Sequence, residues 1–156
     1  MAARKGNLVQ NASFELGLLA WQSENVISVK GSSHTGAYRA VLGGTNQLQA
    51  TLSQDIRIFR KRHYLLSFFA VGDGIASDLH LKLVWLDKRG SELGIGLNFD
   101  IPGKSITPLP LWSFFVELTG RSPEEARYAR LIFTKDLGGF ISLDDLLFYE
   151  QGGDRR

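Results

Sequence analysis

The chain has 156 residues, a formal net charge of +2, 44% hydrophobic residues and no cysteine. That length fits one domain able to bury a core without metal or disulfide staples, and the missing thiols exclude disulfide frameworks, thiolate nucleophiles and cysteine-based zinc sites. The 18 basic residues are scattered among 16 acidic ones, which argues against nucleic acid as a partner, and no run approaches the ~18 apolar residues of a membrane span.

In chain order, residues 1–6 carry Arg4 and Lys5 without an apolar stretch behind them, so no signal peptide is visible and a disordered arm is expected. From residue 7 to 150 short apolar runs alternate with turn clusters, and no stretch keeps the ~3.6-residue apolar repeat of a substantial helix. Strands are expected at 26–30, 38–42, 48–58, 63–71, 79–85, 92–100, 112–118, 128–135 and 140–149. The clearest alternates Leu79, Leu81, Leu83 and Trp85 on one face with His80, Lys82 and Val84 on the other, as a half-buried strand requires. It ends at the turn Asp87-Lys88-Arg89-Gly90. Residues 101–111 hold three of the four prolines and read as a surface loop. Ser122-Pro123-Glu124-Glu125-Ala126-Arg127 reads as one helical turn, with Ser as N-cap, Pro at the first position and two acids in the first turn. Residues 151–156 read as a frayed tail. About nine strands with turns between them suit an all-β, two-sheet antiparallel sandwich or jelly roll.

Several motifs are more specific than this pattern. Asn7 to Trp21 contains Asn-x-Ser-Phe-Glu followed by Gly17 and Trp21; later come His34-Thr35-Gly36-Ala37-Tyr38-Arg39-Ala40, Leu52-Ser53-Gln54-Asp55-Ile56, Tyr64-Leu65-Leu66-Ser67-Phe68-Phe69-Ala70 and Ile141-Ser142-Leu143-Asp144-Asp145-Leu146. In this order and spacing the chain resembles the galactose-binding-like β-sandwich of carbohydrate-binding modules attached to bacterial xylanases and glucanases, over about residues 7–150. The resemblance implies a first strand in the Asn7 motif beside the last strand, noncatalytic binding of an oligo- or polysaccharide, and a place outside the cell or on a cell or spore surface.

It also implies a structural cation site. Glu15 and Asp144 match the family's side-chain ligands and the loop 33–38 its carbonyl donors. Calcium suits such a site because hard oxygen ligands wrap it in a flexible cage, whereas magnesium demands tighter octahedral geometry. The alternative is that Glu15 accepts backbone N–H groups and Asp144 pairs with an Arg or Lys. Asp145 is expected in a turn or in solvent.

Sugar recognition needs flat rings for the C–H faces of pyranoses and a few polar groups for the hydroxyls. Trp21, Trp85 and Trp112 fall at positions that read as core. If Tyr64, Leu66, Phe68 and Ala70 point inward, Leu65, Ser67 and Phe69 point outward beside His80, Lys82 and Val84, with Arg130 and Ile132 extending the surface. The candidate ligand-binding set is Phe69, His80, Lys82 and Arg130. Leu65, Val84 and Ile132 make that face apolar, so the alternative is a bacterial surface or spore-coat-like assembly domain that forms a homo-oligomer through it.

Other signals read as structural. Arg60-Lys61-Arg62-His63 is expected to be a solvated hairpin turn, with no aromatic platform interleaved. Gly94-Ile95-Gly96 lies inside a strand and marks a bulge or a close backbone approach rather than a dinucleotide site. No histidine spacing suits zinc, and no nucleophile–base constellation supports an enzyme.

Overall fold

A computed structural model describes residues 6–75 and 77–151; apart from Gly6 and Gln151, the arm and tail expected at 1–6 and 151–156 lie outside the described residues. The strands are β1 (Gln22–Glu24), β2 (Val26–Lys30), β3 (Tyr38–Leu42), β4 (Ala50–Arg57), β5 (Tyr64–Gly72), β6 (Leu79–Leu86), β7 (Glu92–Ile101), β8 (Ser113–Leu118), β9 (Tyr128–Lys135) and β10 (Ile141–Glu150). They form two five-stranded antiparallel sheets, the first ordered β1-β4-β9-β6-β7 and the second β2-β3-β10-β5-β8. The chain is an all-β, two-sheet sandwich.

Period-two alternation builds the core between the sheets. Leu79, Leu81 and Leu83 of β6, Leu131 and Phe133 of β9, and Leu66 and Phe68 of β5 are all fully buried. Each such side chain contributes roughly 1.5–3 kcal/mol of transfer free energy. Aromatic contacts cross the layer, Phe68 meeting Phe133 edge-on at 5.1 Å between ring centroids and Tyr64 lying 6.1 Å from Trp85, while Tyr64 also stacks on Phe148 of its own sheet at 5.1 Å.

The Asn7 motif is not a strand. Asn11, Phe14, Gly17 and Ala20 have φ between 51° and 75°, a left-handed geometry that breaks any ladder, and residues 9–20 are a run of turns. The segment nevertheless lies along β10: Leu8 N donates to Phe148 O at 2.8 Å, and the Asn7 side chain donates to Leu146 O and accepts from Phe148 N. It closes the sandwich by burying Phe14 and Trp21, whose rings are 5.4 Å apart.

Three further expectations change. Residues 122–127 form a turn, not a helical turn, because Ser122 Oγ donates to Phe59 O and accepts from Arg62 N and is thus tied to the neighbouring loop rather than capping its own segment. Residues 101–111 finish β7 and then form a short 3-10 turn, Gly103–Ser105, before crossing the second sheet. The basic run at 60–63 is not a hairpin turn, since β4 and β5 lie in different sheets; Arg60 and Lys61 pair with Glu124, and Arg62 with Glu150. The Gly94–Gly96 expectation holds: the β6–β7 register shifts there, and a Cβ on Gly96 would meet the Trp85 ring at 2.6 Å.

Candidate functional site

Which sheet a strand joins decides which side chains can act together. β5 belongs to the second sheet, whereas β6 and β9 are neighbours in the first. The expected set therefore splits: His80, Lys82 and Arg130 share the outer face of the first sheet, and Phe69 faces outward from the second, on the opposite side of the sandwich. Val84 and Ile132 likewise part from Leu65, and Val84, at 3% exposed, is no free contact surface.

On the first sheet the polar groups serve one another. Arg130 grips Asp55 through two hydrogen bonds, Nε to Oδ1 at 2.7 Å and Nη2 to Oδ2 at 3.0 Å, and this pairing raises its pKa. His80 bridges Asp100 at 2.6 Å through Nδ1 and Asp136 at 2.9 Å through Nε2. Lys82 is exposed on the same face. Arg130 and His80 thus fasten β9 to β4 and β6 to β7 and to the residue after β9; they are already engaged in intramolecular pairs.

The second sheet carries a different arrangement. Asp144 is fully buried on the outer side of β10, and its Oδ2 accepts backbone N–H groups of His34 at 2.9 Å and Thr35 at 3.2 Å, while Oδ1 accepts from Asp145 N at 2.8 Å. Glu15 is exposed rather than buried, and takes the N–H groups of Ala37 and Tyr38 at 2.9 to 3.1 Å. Two carboxylates therefore hold one loop through its N–H groups. Asp145, at the β10 bulge with φ 50°, is neither solvated nor in a plain turn, since it accepts from Ser13 and Thr35 hydroxyls and contacts His34 Nδ1 at 2.6 Å. Burial works to raise the Asp145 pKa, but the hydrogen bonds from His34, Ser13 and Thr35 hold it below the ordinary range. For Asp144 burial wins and pushes the pKa up to about 6, against N–H donation from Thr35, Asp145 and His34.

Glu15 and Asp144 are thus drawn to the same loop, as a cation site requires. The donor set fits a hard ion in one respect: no cationic side chain among the described residues offsets the buried Asp144 charge, and its oxygens keep lone pairs beyond the N–H contacts. Among the described residues no group of three His, Cys, Asp or Glu is arranged for a metal, so carbonyl or water oxygens would have to complete the cage.

The loop that Asp144 holds lays His34 flat on Phe69, with ring centroids 3.6 Å apart, and sets it edge-on to Trp112 at 5.8 Å. Phe69 thus has one ring face covered, and the exposed ring beside it is Phe114, 4.9 Å away and 56% exposed. Trp21 and Trp85 are core, as expected, but Trp112 is only half-buried.

Next to this cluster, β2, β3 and β10 floor a groove of about 280 Å³, lined by Ile27, Val29, Arg39, Val41 and Ser142 and walled by Asp73, Leu109 and Phe140. Arg39 points out because Ala40 and Leu42 point into the core. Its Nε donates to Ser142 Oγ at 3.0 Å and its Nη1 to Gly31 O. Asp73 accepts Ile75 N and Phe140 N. Sequence reasoning missed Arg39, Ser142 and Phe140. The alternation in Tyr38-Arg39-Ala40-Val41-Leu42 was the available signal for Arg39, but nothing local shows that β3 and β10 pair.

No protein-family model and no curated protein sequence matches the chain. Solved structures do. The xylan-binding CBM22-1 domain of Paenibacillus barcinonensis Xyn10C superposes with a TM-score of 0.67 at 16% identity, over 96% of this chain and 97% of that one. TmCBM61, in complex with β-1,4-galactotriose, gives 0.65 at 19% identity over 93% and 99%. The chain has the fold of the carbohydrate-binding modules. It also matches the enzymatically active domain of bacteriophage CBA120 tailspike protein 4, with a TM-score of 0.73 at 17% identity, over 93% of this chain but 21% of that one. No helix among the described residues is long and apolar enough to cross a membrane.

Hydrogen bonds to Asp100 and then Asp136 raise the His80 pKa above its ordinary 6.5. A raised histidine stabilises the fold while protonated, fully below about pH 6.5, and loses that contribution as pH rises through the folded-state value. Thermal unfolding of the wild type and His80→Gln should show the widest gap in Tm near about pH 5.5 and a closing gap towards about pH 9; a pH-independent gap contradicts the bridge.

Proposed function

We propose that this domain binds carbohydrate without catalysis, in the groove on the outer face of the second sheet. The observation that carries the reading is the groove itself, lined largely by apolar side chains, with Arg39 and Ser142 hydrogen-bonded to each other in its base and Asp73 in its wall. Its volume lies near the ~300 Å³ lower end of small-molecule sites, which suits one or two sugar rings. Two neighbours of the same fold are described as xylan-binding and as holding β-1,4-galactotriose. Hydrolysis of a glycosidic bond takes two facing carboxyl groups, whereas among the described residues Asp73 is the one acid lining the groove, and two backbone N–H groups occupy it. A place outside the cell or on its surface, where polysaccharide is met, goes with this role.

Phe140 supplies the ring in the groove wall. Affinity electrophoresis and calorimetry against β-1,4-galactotriose, xylohexaose and acidic oligosaccharides should find a ligand, and Phe140→Ala should weaken it about tenfold, the ~1.4 kcal/mol expected of a ring contact. Lys82→Ala on the first sheet should leave affinity unchanged. Loss with Lys82→Ala and none with Phe140→Ala would place binding on the other face.

A second reading, self-association, is favoured by the edge strand β8, where Phe114, Val116 and Leu118 are 46–56% exposed on one face. Light scattering at rising concentration should then give a dimer that Val116→Glu dissolves; a monomer throughout removes this reading.

Calcium at Glu15 and Asp144 is part of the proposal, as a structural ion. Without it, ionising Asp144 at neutral pH costs on the order of 3 kcal/mol, and stability is lost as pH rises from the ordinary carboxyl value of 3.8 through about 6. Millimolar calcium at neutral pH should raise Tm by ~5 °C and flatten that loss, and Asp144→Asn should abolish the response. An unchanged Tm in the wild type contradicts calcium binding.

A further inference from the structure

We infer that the ligand of the groove is an acidic sugar, whose carboxylate is received by the guanidinium of Arg39; this rests on the carbohydrate-binding reading above. Three arginines of the described chain are half-buried: Arg39, Arg62 and Arg130. Arg62 is 2.9 Å from a carboxylate oxygen of Glu150, and Arg130 holds Asp55 through two bonds. Arg39 differs. Its Nε and Nη1 donate to a hydroxyl and a carbonyl, both neutral, and no carboxylate pairs with it among the described residues. Its Nη2 makes no hydrogen bond among them, which leaves both Nη2 hydrogens for a ligand.

The surroundings sharpen that demand. Burial alone pushes the Arg39 pKa down, the mark of a cation partly withdrawn from water without a compensating anion. The other charge lining the groove does not pair with it: the Asp73 oxygens accept the N–H groups of Ile75 and Phe140, and the carboxylate interacts with Lys135, whose buried Nζ donates to Gly138 O at 3.0 Å. A guanidinium held on two sides is pre-set in orientation, so a planar carboxylate meets it at low entropic cost.

The rest of the groove selects what bears the carboxylate. A small inorganic anion gains nothing from the apolar lining of Ile27, Val29, Leu109 and Phe140, whereas the C–H faces of a pyranose pack on it. A uronate, a pyranose with an apolar C–H face and one planar carboxylate, meets both demands. A sulfated sugar offers the same charge with tetrahedral rather than planar geometry, and the experiment separates the two.

The test compares ligands that differ only in charge, on unaltered protein. Calorimetry would measure oligogalacturonate against its methyl ester, oligoalginate, a sulfated galactan oligosaccharide, and the neutral β-1,4-galactotriose and xylohexaose. At least one uronate should bind ten or more times tighter than the neutral sugars. Methyl esterification of oligogalacturonate, if that is the uronate bound, should remove the advantage, and added salt should erode it. Arg39→Met, which keeps the aliphatic stem, should abolish the preference, while Arg39→Lys should keep part of it. Neutral sugars binding as tightly as every uronate, or an advantage that survives esterification or Arg39→Met, overturns the inference and leaves the carbohydrate reading standing. Preference for the sulfated ligand alone overturns the carboxylate assignment. No binding of any oligosaccharide overturns both.

Discussion

Much of the outer face of the second sheet depends on one buried carboxylate. Asp144 lies with no exposure on β10 and accepts the N–H groups of His34 and Thr35. Those bonds pull residues 33–38 over the sheet, with Glu15 taking the N–H groups of Ala37 and Tyr38. The loop in turn closes on itself, Gly31 N donating to Ala37 O at 2.7 Å, and presents Gly31 O to Arg39. The position of the guanidinium in the groove is thus set at two removes by Asp144. A buried carboxylate is costly unless its oxygens are satisfied, and three N–H groups meet that requirement in part. Such an arrangement spends fold stability on placing a loop, as functional surfaces commonly do.

The two outer faces of the sandwich divide the labour. On the first sheet the charges of Arg130 and His80 are matched within the chain, the first with Asp55 and the second with two aspartates, and these pairs lace its strands together. On the second sheet the matching is incomplete: rings are stacked but partly open, apolar side chains line a groove, and one arginine has neutral partners only. Incomplete satisfaction on an ordered surface is what a ligand can complete. Fold similarity gives the context and the groove chemistry gives the argument, because the sandwich by itself hosts many functions.

The strands were legible because burial on one face imposes a period of two that tertiary context does not obscure. Leu79 to Trp85 alternates as read, and β2, β3 and β9 have the expected bounds. The first segment was misread because Asn11, Phe14 and Ala20 take left-handed conformations, which a motif resemblance does not report. The site was misread for a topological reason. Phe69 and His80 are each outward-facing on adjacent predicted strands, yet β5 and β6 enter different sheets, so sequence neighbours end up on opposite sides. Arg39 and Ser142 are 103 positions apart, and only the β3–β10 pairing joins them. The Glu15 and Asp144 association with loop 33–38 was accessible through the resemblance, although the contacts formed are to N–H groups.

The most direct test of the account is where a bound oligosaccharide touches the protein. Titrating isotope-labelled protein with the tightest-binding oligosaccharide and following backbone amide shifts by NMR maps the contact without altering any residue. The account predicts shifts concentrated at Ile27, Val29, Arg39, Phe140 and Ser142, with His80, Lys82 and Arg130 unmoved. Shifts centred on the first sheet, or at the β8 edge away from the groove, would contradict it.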